Sequence, residues 1–279
     1  MRRPALTILF LLVVLPVLPA AEQDDKPTAL EIFDAALAKF DSIRLALRKW
    51  QYHQTLTTQQ LDSDGKVIAK GTWKSIVRPG DPRPLEFTFE KMEGKLSFFK
   101  SGSEAEETAP KKSASPKPET ATKDENQAES AVEAVKKYNL RDRYIWKRLP
   151  DETVAGESAY VLTFEPKPKQ NTKSREERFF GLLVGRMWIS RADFNVLKAE
   201  AALQSPCSLF WIIARVTTFQ FTYELEPARG ANPLLRLSKG TAKTVVTFPF
   251  YSVRQRHWQT VDKYEPRTPR GSAPLQSKP

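Results

Sequence analysis

Hydrophobic and polar positions alternate with a period of two over most of this chain, which is the pattern of half-buried β-strands. The alternation is cleanest at 217–225, where Phe219, Phe221 and Tyr223 are separated by polar residues. Further strands are predicted at 50–57, 67–77, 85–89, 95–100, 142–149, 158–165, 182–190, 196–203, 241–251 and 252–264. The Asp64-Gly65 pair indicates a tight hairpin, so strands adjacent in sequence should pair antiparallel.

A different period follows Thr28. Thr28 and Glu31 form a capping box, which marks the start of a helix. Apolar residues then recur at intervals of three and four, namely Leu30, Phe33, Leu37, Phe40, Ile43 and Leu47. The helix should lie against the sheet, either as a permanent core helix or as a lid that can lift away. Its spacing is compatible with both.

Several segments restrict how the sheet can be built. Pro249 falls inside a predicted strand, which should place that strand at an edge or give it a bulge. The run at 209–213 has five large apolar residues, typical of a strand buried on both faces or of a hydrophobic loop entering a cavity or bilayer. The polar, basic loop at 166–177 is long enough to flank the mouth of a pocket.

The strand predicted at 196–203 has unusually small side chains on its apolar face. Leu197, Ala199, Ala201 and Leu203 share that face, while Lys198 and Glu200 lie on the other. The two alanines leave room that another element, or a ligand, must fill to reach normal packing density.

Two stretches resemble the LolA-like outer-membrane lipoprotein-sorting family of bacterial envelopes. They are VAGESAYVLTFEP at 154–166 and GRMWI at 185–189, the latter followed by a return strand. The resemblance spans 30–264 apart from one insertion. It implies an α+β, mainly β fold, in which a strongly curved antiparallel sheet forms a half-open barrel of about ten strands. Helices would cover its apolar concave face, which can hold acyl chains.

The N-terminal segment 1–21 reads as a secretory signal. Arg2 and Arg3 precede an apolar run at 5–18, and small residues follow at Ala20 and Ala21. No cysteine follows the run, so the acylation site of a lipoprotein is missing. We expect export to the periplasm and one domain over 22–264.

Residues 100–131 differ in kind from the rest of the chain. They contain no aromatic residue and are built from Ser, Ala, Glu, Lys, Pro and Thr, so they cannot bury enough surface to fold. We predict a disordered insertion, either a passive linker or a segment that binds a partner or the cell wall. A short helix is expected at 131–138, and a loose tail at 265–279.

The formal charge of +11 falls to +9 when Arg2 and Arg3 are removed. The excess lies towards the C-terminus, and it would attract anionic lipid headgroups or nucleic acid. An exported protein rarely meets nucleic acid, so we expect no nucleic-acid partner and favour an anionic membrane surface. For the charge alone, a basic surface that only aids solubility is the simpler explanation.

Little in the chain indicates catalysis. There are two histidines, His53 and His257, without a spaced set of metal ligands, so no metal or cofactor is expected. Cys207 is the only cysteine and cannot form an internal disulfide; its apolar surroundings should raise the thiol pKa. No phosphate-binding loop, nucleophile elbow or HExxH helix occurs.

Aromatic residues are spread over successive strands, and we expect some of them to line an apolar groove. Periodicity does not say which alternating set faces it. The candidate ligand-binding residues are Trp50, Tyr52, Trp73, Phe87, Phe89, Met187, Trp188, Leu197, Trp211, Phe219 and Phe221.

Three functions are compatible with these features. The first is a non-enzymatic periplasmic carrier that binds a lipid, a lipoprotein acyl chain or another hydrophobic molecule beneath a helical lid. The second is an envelope interaction or stress-sensor protein that uses the same sheet to bind a protein partner. The third is an enzyme of lipid or glycan metabolism that uses His53 or His257.

Overall fold

The computed structural model describes residues 26–81, 84–97, 126–210, 214–227 and 236–267. Helices and strands follow one another along these residues in the order α1 (Ala29–Leu47), β1 (Trp50–Leu61), β2 (Val67–Val77), β3 (Glu86–Glu93), α2 (Asn126–Lys137), α3 (Leu140–Arg143), β4 (Tyr144–Val154), β5 (Glu157–Pro166), α4 (Arg175–Phe180), β6 (Leu183–Ser190), β7 (Val196–Leu203), β8 (Cys207–Phe210), β9 (Ala214–Pro227), β10 (Arg236–Thr247) and β11 (Ser252–Pro266).

The strands form one antiparallel sheet in the order β3-β2-β1-β11-β10-β9-β7-β6-β5-β4, with β8 paired to the start of β9. Its two edges, β3 and β4, remain apart, so the sheet is open. The first and last described strands, β1 and β11, pair as the third and fourth in this order, from Trp50 opposite Pro266 to Leu61 opposite Arg254. The predicted mainly β fold, with about ten antiparallel strands and helices on the sheet, is confirmed.

We call the face that carries α1 the inner face and the opposite one the outer face. Residues that are paired between neighbouring strands form one row on the inner face, and this row crosses ten strands. The row consists of Phe89, Trp73, Leu56, Gln259, Gly240, Tyr223, Ala199, Met187, Leu162 and Arg148. One continuous surface therefore runs beneath and beyond the helix.

The predicted capping box starts α1 as expected. The Thr28 backbone N–H donates to the Glu31 carboxylate over 2.7 Å, and the Glu31 N–H donates to Thr28 Oγ1 over 3.2 Å. These bonds satisfy N–H groups that have no partner within the helix. The first half of α1 then buries Ile32, Phe33 and Ala36 against β5 and β6.

The outer face has a core of its own behind β5. Ala159 and Val161 are buried there with Trp188 and Leu197, and the end of β4 covers them. Because Tyr160 and Leu162 are buried on the inner face as well, β5 is enclosed on both sides. The near-continuous apolar run of β5 matches this double burial.

The prediction of a strand at 95–100 is wrong for residues 95–97, which are the part of that segment that the structure describes. Residues 95–97 form an irregular segment that lies across the inner face. The backbone groups of Ser97 bond to side chains rather than to the backbone of a neighbouring strand. The Ser97 N–H donates to Gln60 over 2.7 Å, and the Ser97 carbonyl accepts from Gln255 over 2.7 Å. Leu96 is buried between them.

Other boundaries also differ from the predictions. Pro249 lies in the turn after β10 ends at Thr247, so its missing N–H costs the sheet no hydrogen bond. The predicted loop 166–177 contains the start of α4, which Ser174 caps by accepting from the Glu177 N–H. The helix predicted at 131–138 is α2, and it begins within the predicted insertion.

β11 continues two residues into the predicted tail. The predicted signal, the remaining tail and most of the predicted insertion lie outside the described residues.

Candidate functional site

The inner face has two halves with different cover. The covered half, on β4 to β7, lies beneath α1, α2 and α4. Its centre is an aromatic cluster in which the Phe33 ring of α1 lies 4.2 Å from the ring of Trp146, and Trp146 lies 5.5 Å from Phe164. The adjoining Leu162 and Ile189 are completely buried, so this half is packed as an ordinary core.

Protein atoms fill the room that the sequence leaves in the covered half. Ala201 pairs with Gly185, and the Phe164 ring from the next strand lies over Gly185. A Cβ added at Gly185 would overlap that ring and the Glu200 carbonyl oxygen. The small residues therefore accommodate an aromatic ring of the protein rather than a ligand.

The second half, which we call the open half, is the inner face of β1, β2, β3, β10 and β11. The side chains of Phe87 and Phe89 on β3 are 43% and 46% exposed. The Phe89 ring packs at 5.8 Å from Trp73 on β2. Trp73 can lie close to the sheet because Gly71 has no side chain; a Cβ there would be 2.5 Å from Cη2 of Trp73. The described residues thus hold an aromatic surface in place and leave it partly exposed.

The second half of α1 is also incompletely buried. Phe40 follows Phe33 and Ala36 at helical spacing and so lies on the same side of the helix. Ala36 is buried, yet Phe40 is 38% exposed. The apolar stripe of α1 thus continues beyond the part that packs on the sheet, which leaves an unfilled apolar surface on the helix as well.

A polar belt crosses the open half at the centre of the sheet. The Thr58 hydroxyl and Nδ1 of His257 share a hydrogen bond of 3.0 Å across the β1–β11 pair. Burial lowers the pKa of His257, which favours its neutral ring at neutral pH. Gln259, two residues along β11, is exposed although its strand is central. Such side chains can donate and accept hydrogen bonds without a net charge.

The structure places most of the predicted groove residues on the inner face but divides them between its halves. Tyr52, Trp73, Phe87 and Phe89 lie in the open half, with Trp50 on the same side of β1 by strand alternation. Met187 belongs to the covered core, Phe219 packs against Phe179 of α4, and Phe221 stacks on Tyr223.

Two of the predicted groove residues are on the wrong face. Trp188 and Leu197 belong to the outer core, where the Trp188 indole N–H donates to Glu152 over 2.7 Å. Leu197 reaches that face because the β6–β7 register shifts next to Trp188, which interrupts the simple alternation of β7. Trp211 lies outside the described residues.

Sequence reasoning missed the polar belt and the exposed stripe of α1. The belt depends on the pairing of β1 with β11, which joins residues 199 positions apart, such as Thr58 and His257. No local pattern records such a register. The periodicity of α1 did identify Phe40 as apolar-facing, but it could not show that the sheet fails to reach it.

The described residues assemble no recognisable catalytic or metal centre. His53 and His257 point to opposite faces of the sheet, as their positions on paired strands require. Burial raises the pKa of the Cys207 thiol, which disfavours its reactive thiolate. Within the described ranges no cluster of His, Cys, Asp or Glu could hold a metal ion, and no helix there has the length and apolarity to span a membrane.

A hollow of about 370 Å³ lies on the outer face, away from the open half. Trp188 and Leu197 contribute to its lining together with charged side chains. Lys198 is paired there with Glu200 at 2.8 Å and with Glu224 at 3.6 Å. Because three carboxylates and one lysine line it, and each is ion-paired, we regard this hollow as a solvated surface rather than an apolar pocket.

Comparison with solved structures finds similar chains at low identity. A LolA-superfamily protein of Nitrosomonas europaea is 14% identical with a TM-score of 0.32, over 88% of this chain and 96% of that chain. A putative outer membrane lipoprotein-sorting protein domain of Vibrio parahaemolyticus is 13% identical with a TM-score of 0.34, over 86% and 92%. These belong to the family that the sequence resembles.

A chain of the MucA/MucB complex of Pseudomonas aeruginosa is also similar, at 10% identity and a TM-score of 0.22, over 84% of this chain and 99% of that chain. No protein-family model matches the chain, and no curated protein matches it. At such low identities and TM-scores, what this chain binds has to be inferred from its own residues.

Proposed function

We propose that this protein is a non-enzymatic carrier of the bacterial envelope that binds the apolar part of a lipid or lipoprotein on the open half of its inner face. The observation that carries the proposal is a pair of unfilled apolar surfaces on one side of the sheet. One is formed by Phe87 and Phe89, and the other by the stripe of α1 that continues to Phe40. An acyl chain that contacts both would complete the packing that the protein leaves unfinished.

The energy would come from removing the chain and the two protein surfaces from water. Burial contributes about 0.8 kcal/mol per CH₂ group, so even a chain of about ten carbons supplies several kcal/mol before ordering costs. A site open along one side would also release its ligand without unfolding. Delivery to an acceptor needs this reversibility.

The polar belt suggests how such a ligand would be oriented. Thr58, His257 and Gln259 carry uncharged donors and acceptors beside the aromatic surface of β2 and β3. Ester or amide groups next to an acyl chain need such partners when water is removed. We therefore place the linkage region of the ligand at the belt and its hydrocarbon against Phe87 and Phe89.

The first test is native mass spectrometry, with organic extraction, of the protein purified from the periplasm without detergent. A stoichiometric lipid adduct is the expected result and would name the ligand class. Repeated absence of an adduct, together with no binding of a fluorescent fatty-acid probe, would exclude carriage. The mass of the purified protein would also test the predicted removal of residues 1–21.

A matched pair of variants locates the site. Phe89→Ser in the open half should weaken probe binding about tenfold, because one large ring leaves the contact surface. Leu45→Ser removes an apolar side chain of α1 that is 51% exposed and lies on the side of the helix away from Phe40, so probe affinity should be unchanged. Equal affinities of the two variants would mean that the ligand binds elsewhere.

A second function is favoured by the edge strand β3, all eight of whose residues are exposed. Among the described strands only β2 pairs with it, so its other edge offers free backbone donors and acceptors. A protein partner in extended conformation could add a strand there. Co-purification of one envelope protein in stoichiometric amount, with no lipid present, would support this alternative over carriage.

A further inference from the structure

The turn between β10 and β11 presents an aromatic tip to solvent. Phe250 is 97% exposed and Tyr251 is 59% exposed. The turn is nonetheless well held. The Phe248 N–H donates to the Tyr251 carbonyl over 2.8 Å, and the rings of these two residues stack at 4.5 Å. At its base the Ser252 hydroxyl donates to Thr247 over 3.2 Å.

Phe248 anchors this turn to the body of the protein. Its side chain packs on the inner-face cluster of Ala214, Val216 and Val246. Phe250 has no such contact and projects beyond the end of the sheet. A single exposed apolar residue is common on protein surfaces and carries no conclusion alone.

The charges behind the tip supply a second observation. Arg215, Lys243, Arg254 and Arg256 lie on the adjoining ends of β9, β10 and β11. No Asp or Glu occurs in 214–223 or in 241–261. Among the described residues, no carboxylate lies within ion-pair distance of any of the four cations. Within β9, β10 and β11, this end of the sheet therefore carries positive side chains and no negative ones.

The four cations share the outer face. Arg254 and Arg256 alternate with Val253 and Gln255, which are buried on the other side. Lys243 lies directly opposite Arg256 in the β10–β11 ladder. Like charges at opposed positions destabilise a sheet, so this arrangement does not serve folding. Trp258 follows Arg256 on the same face of β11.

We propose that the β10–β11 hairpin docks the protein on an anionic lipid bilayer. Phe250 and Tyr251 enter the headgroup layer, and the four cations contact lipid phosphates along the outer face. Aromatic residues are favoured at the boundary between headgroups and acyl chains, and cations near an anionic surface add attraction. The inference does not depend on the proposed carriage, because the hairpin tip and outer face are separate from the open half.

The shape of the region favours a bilayer over a protein partner. A stable protein interface needs roughly 800 Å² of complementary surface on each side. Here one ring projects at a tip, and the cations behind it are spread over three strands without acidic or apolar counterparts. A fluid surface of phosphates can adapt to such a layout, since it needs no fixed complementary shape.

The hairpin tip can be monitored directly. Cys207 is 1% exposed, so a cysteine introduced as Pro249→Cys, which keeps Phe250 in place, can be labelled selectively with a polarity-sensitive dye in the periplasm-purified protein. With vesicles of phosphatidylcholine and phosphatidylglycerol at low salt, the emission should shift to the blue. Vesicles of phosphatidylcholine alone should give little shift, and salt should reverse binding to the anionic vesicles.

Sedimentation of unlabelled variants with the same vesicles separates the two contributions. Phe250→Ser should lower partitioning about tenfold on anionic vesicles. The double substitution Lys243→Gln with Arg256→Gln should lower it similarly and flatten its salt dependence. Leu45→Ser and Lys167→Gln are the apolar and charge controls, and both should bind like the unmodified protein. Phe250 and these cations are exposed, so urea midpoints should show that all variants remain folded.

Two outcomes would overturn the proposal. One is failure of the unmodified protein to bind anionic vesicles at low salt. The other is vesicle binding by Phe250→Ser that equals that of the unmodified protein. A shift of the dye caused by a lipid-free envelope protein, with no response to vesicles, would assign the tip to a protein partner instead. Loss of fatty-acid probe binding with normal vesicle binding would count only against carriage.

Discussion

The covered and open halves of the inner face are built from the same kind of strand but differ in what lies above them. In the covered half, Leu162 and Ile189 are completely buried beneath α1. In the open half, every residue of β3 is exposed, although Phe87 and Phe89 alternate as regularly as any core residues. The comparison shows that alternation reports a strand with an apolar side. It does not report whether protein covers that side.

The two halves also differ in how they use small residues. Gly185 in the covered half lies directly beneath the Phe164 ring. Gly240 in the open half has no neighbouring atom closer than 3.8 Å to the position of an added Cβ. The first glycine is required by packing between elements, whereas the second leaves room for a methyl group at ordinary contact distance. Substitutions on the two sides should therefore have different consequences.

The largest contrast is expected from one truncation in each half. Leu162→Ala should lower the free energy of unfolding by about 2–5 kcal/mol, because it leaves a cavity in a closed core. Leu56→Ala, in the same cross-sheet row but in the open half, should cost clearly less. Urea unfolding of both variants measures the difference. Equal losses would mean that the open half is packed as tightly as the covered one.

An added methyl group should give the next largest difference. Gly185→Ala should lower the free energy of unfolding by about 1–3 kcal/mol, since the Phe164 ring or the Glu200 backbone must move. Gly240→Ala should be neutral, or stabilising by up to about 1 kcal/mol through loss of freedom in the unfolded chain. Thermal unfolding of the pair is sufficient. Destabilisation by both would contradict the room for a methyl group at Gly240.

Protonation tests the polar belt between the halves. Burial lowers the pKa of His257 below its ordinary value of 6.5. Between the folded and unfolded pKa values, the unfolded chain therefore binds a proton at this ring and the folded protein does not. Stability should therefore fall as the pH drops below about 6.5 and level off once the folded pKa is passed. Comparing urea midpoints of the unmodified protein and His257→Gln at neutral and mildly acidic pH isolates this effect. It would be refuted by identical pH dependence.

The smallest effect is expected where α1 is fastened to the covered half. Nε and Nη2 of Arg141 in α3 each donate to the Asp34 carboxylate over 2.8 Å, which lowers the pKa of Asp34. The contribution to stability is present above the ordinary carboxyl pKa of 3.8 and is lost as the pH falls through the lowered value. Because the pair is solvent-exposed, Asp34→Asn should shift the melting temperature only slightly, and less in high salt.

The same substitution sharpens the comparison of the halves in a second way. If α1 acts as a lid, Asp34→Asn should speed release of a fatty-acid probe while leaving the urea midpoint almost unchanged. If α1 is a permanent core helix, neither quantity should respond appreciably. Stopped-flow dilution of the probe complex distinguishes these cases.

Local patterns predicted the strands well because the side-chain period and the turn residues are encoded within a few positions. The capping box at Thr28 and the hairpin at Asp64-Gly65 are found as predicted. The segment after Gly94 was mispredicted because Leu96 and Ser97 bond across the inner face to residues far along the chain. Their alternation alone could not reveal those partners.

The candidate site was less accessible to sequence reasoning, and the reason is the register between distant strands. Trp188 and Met187 are neighbours in sequence, yet they belong to separate cores on opposite faces. Choosing between them requires knowing which face carries α1. The shift that turns Leu197 outwards depends on pairing with β6, which no property of β7 alone specifies.

The pairing of β1 with β11 has a consequence for how the chain folds. Gln51 bonds to Glu265, 214 residues later, so the β1–β11 pair that joins the two parts of the sheet cannot form until almost the entire described chain is present. Contacts of such long sequence separation slow folding, because loop-closure entropy is lost before the contacts form. A nascent chain that ends before Ser252 would hold two partial sheets with unpaired edges. Such a chain is open to aggregation, which makes β11 the strand that completes a soluble protein.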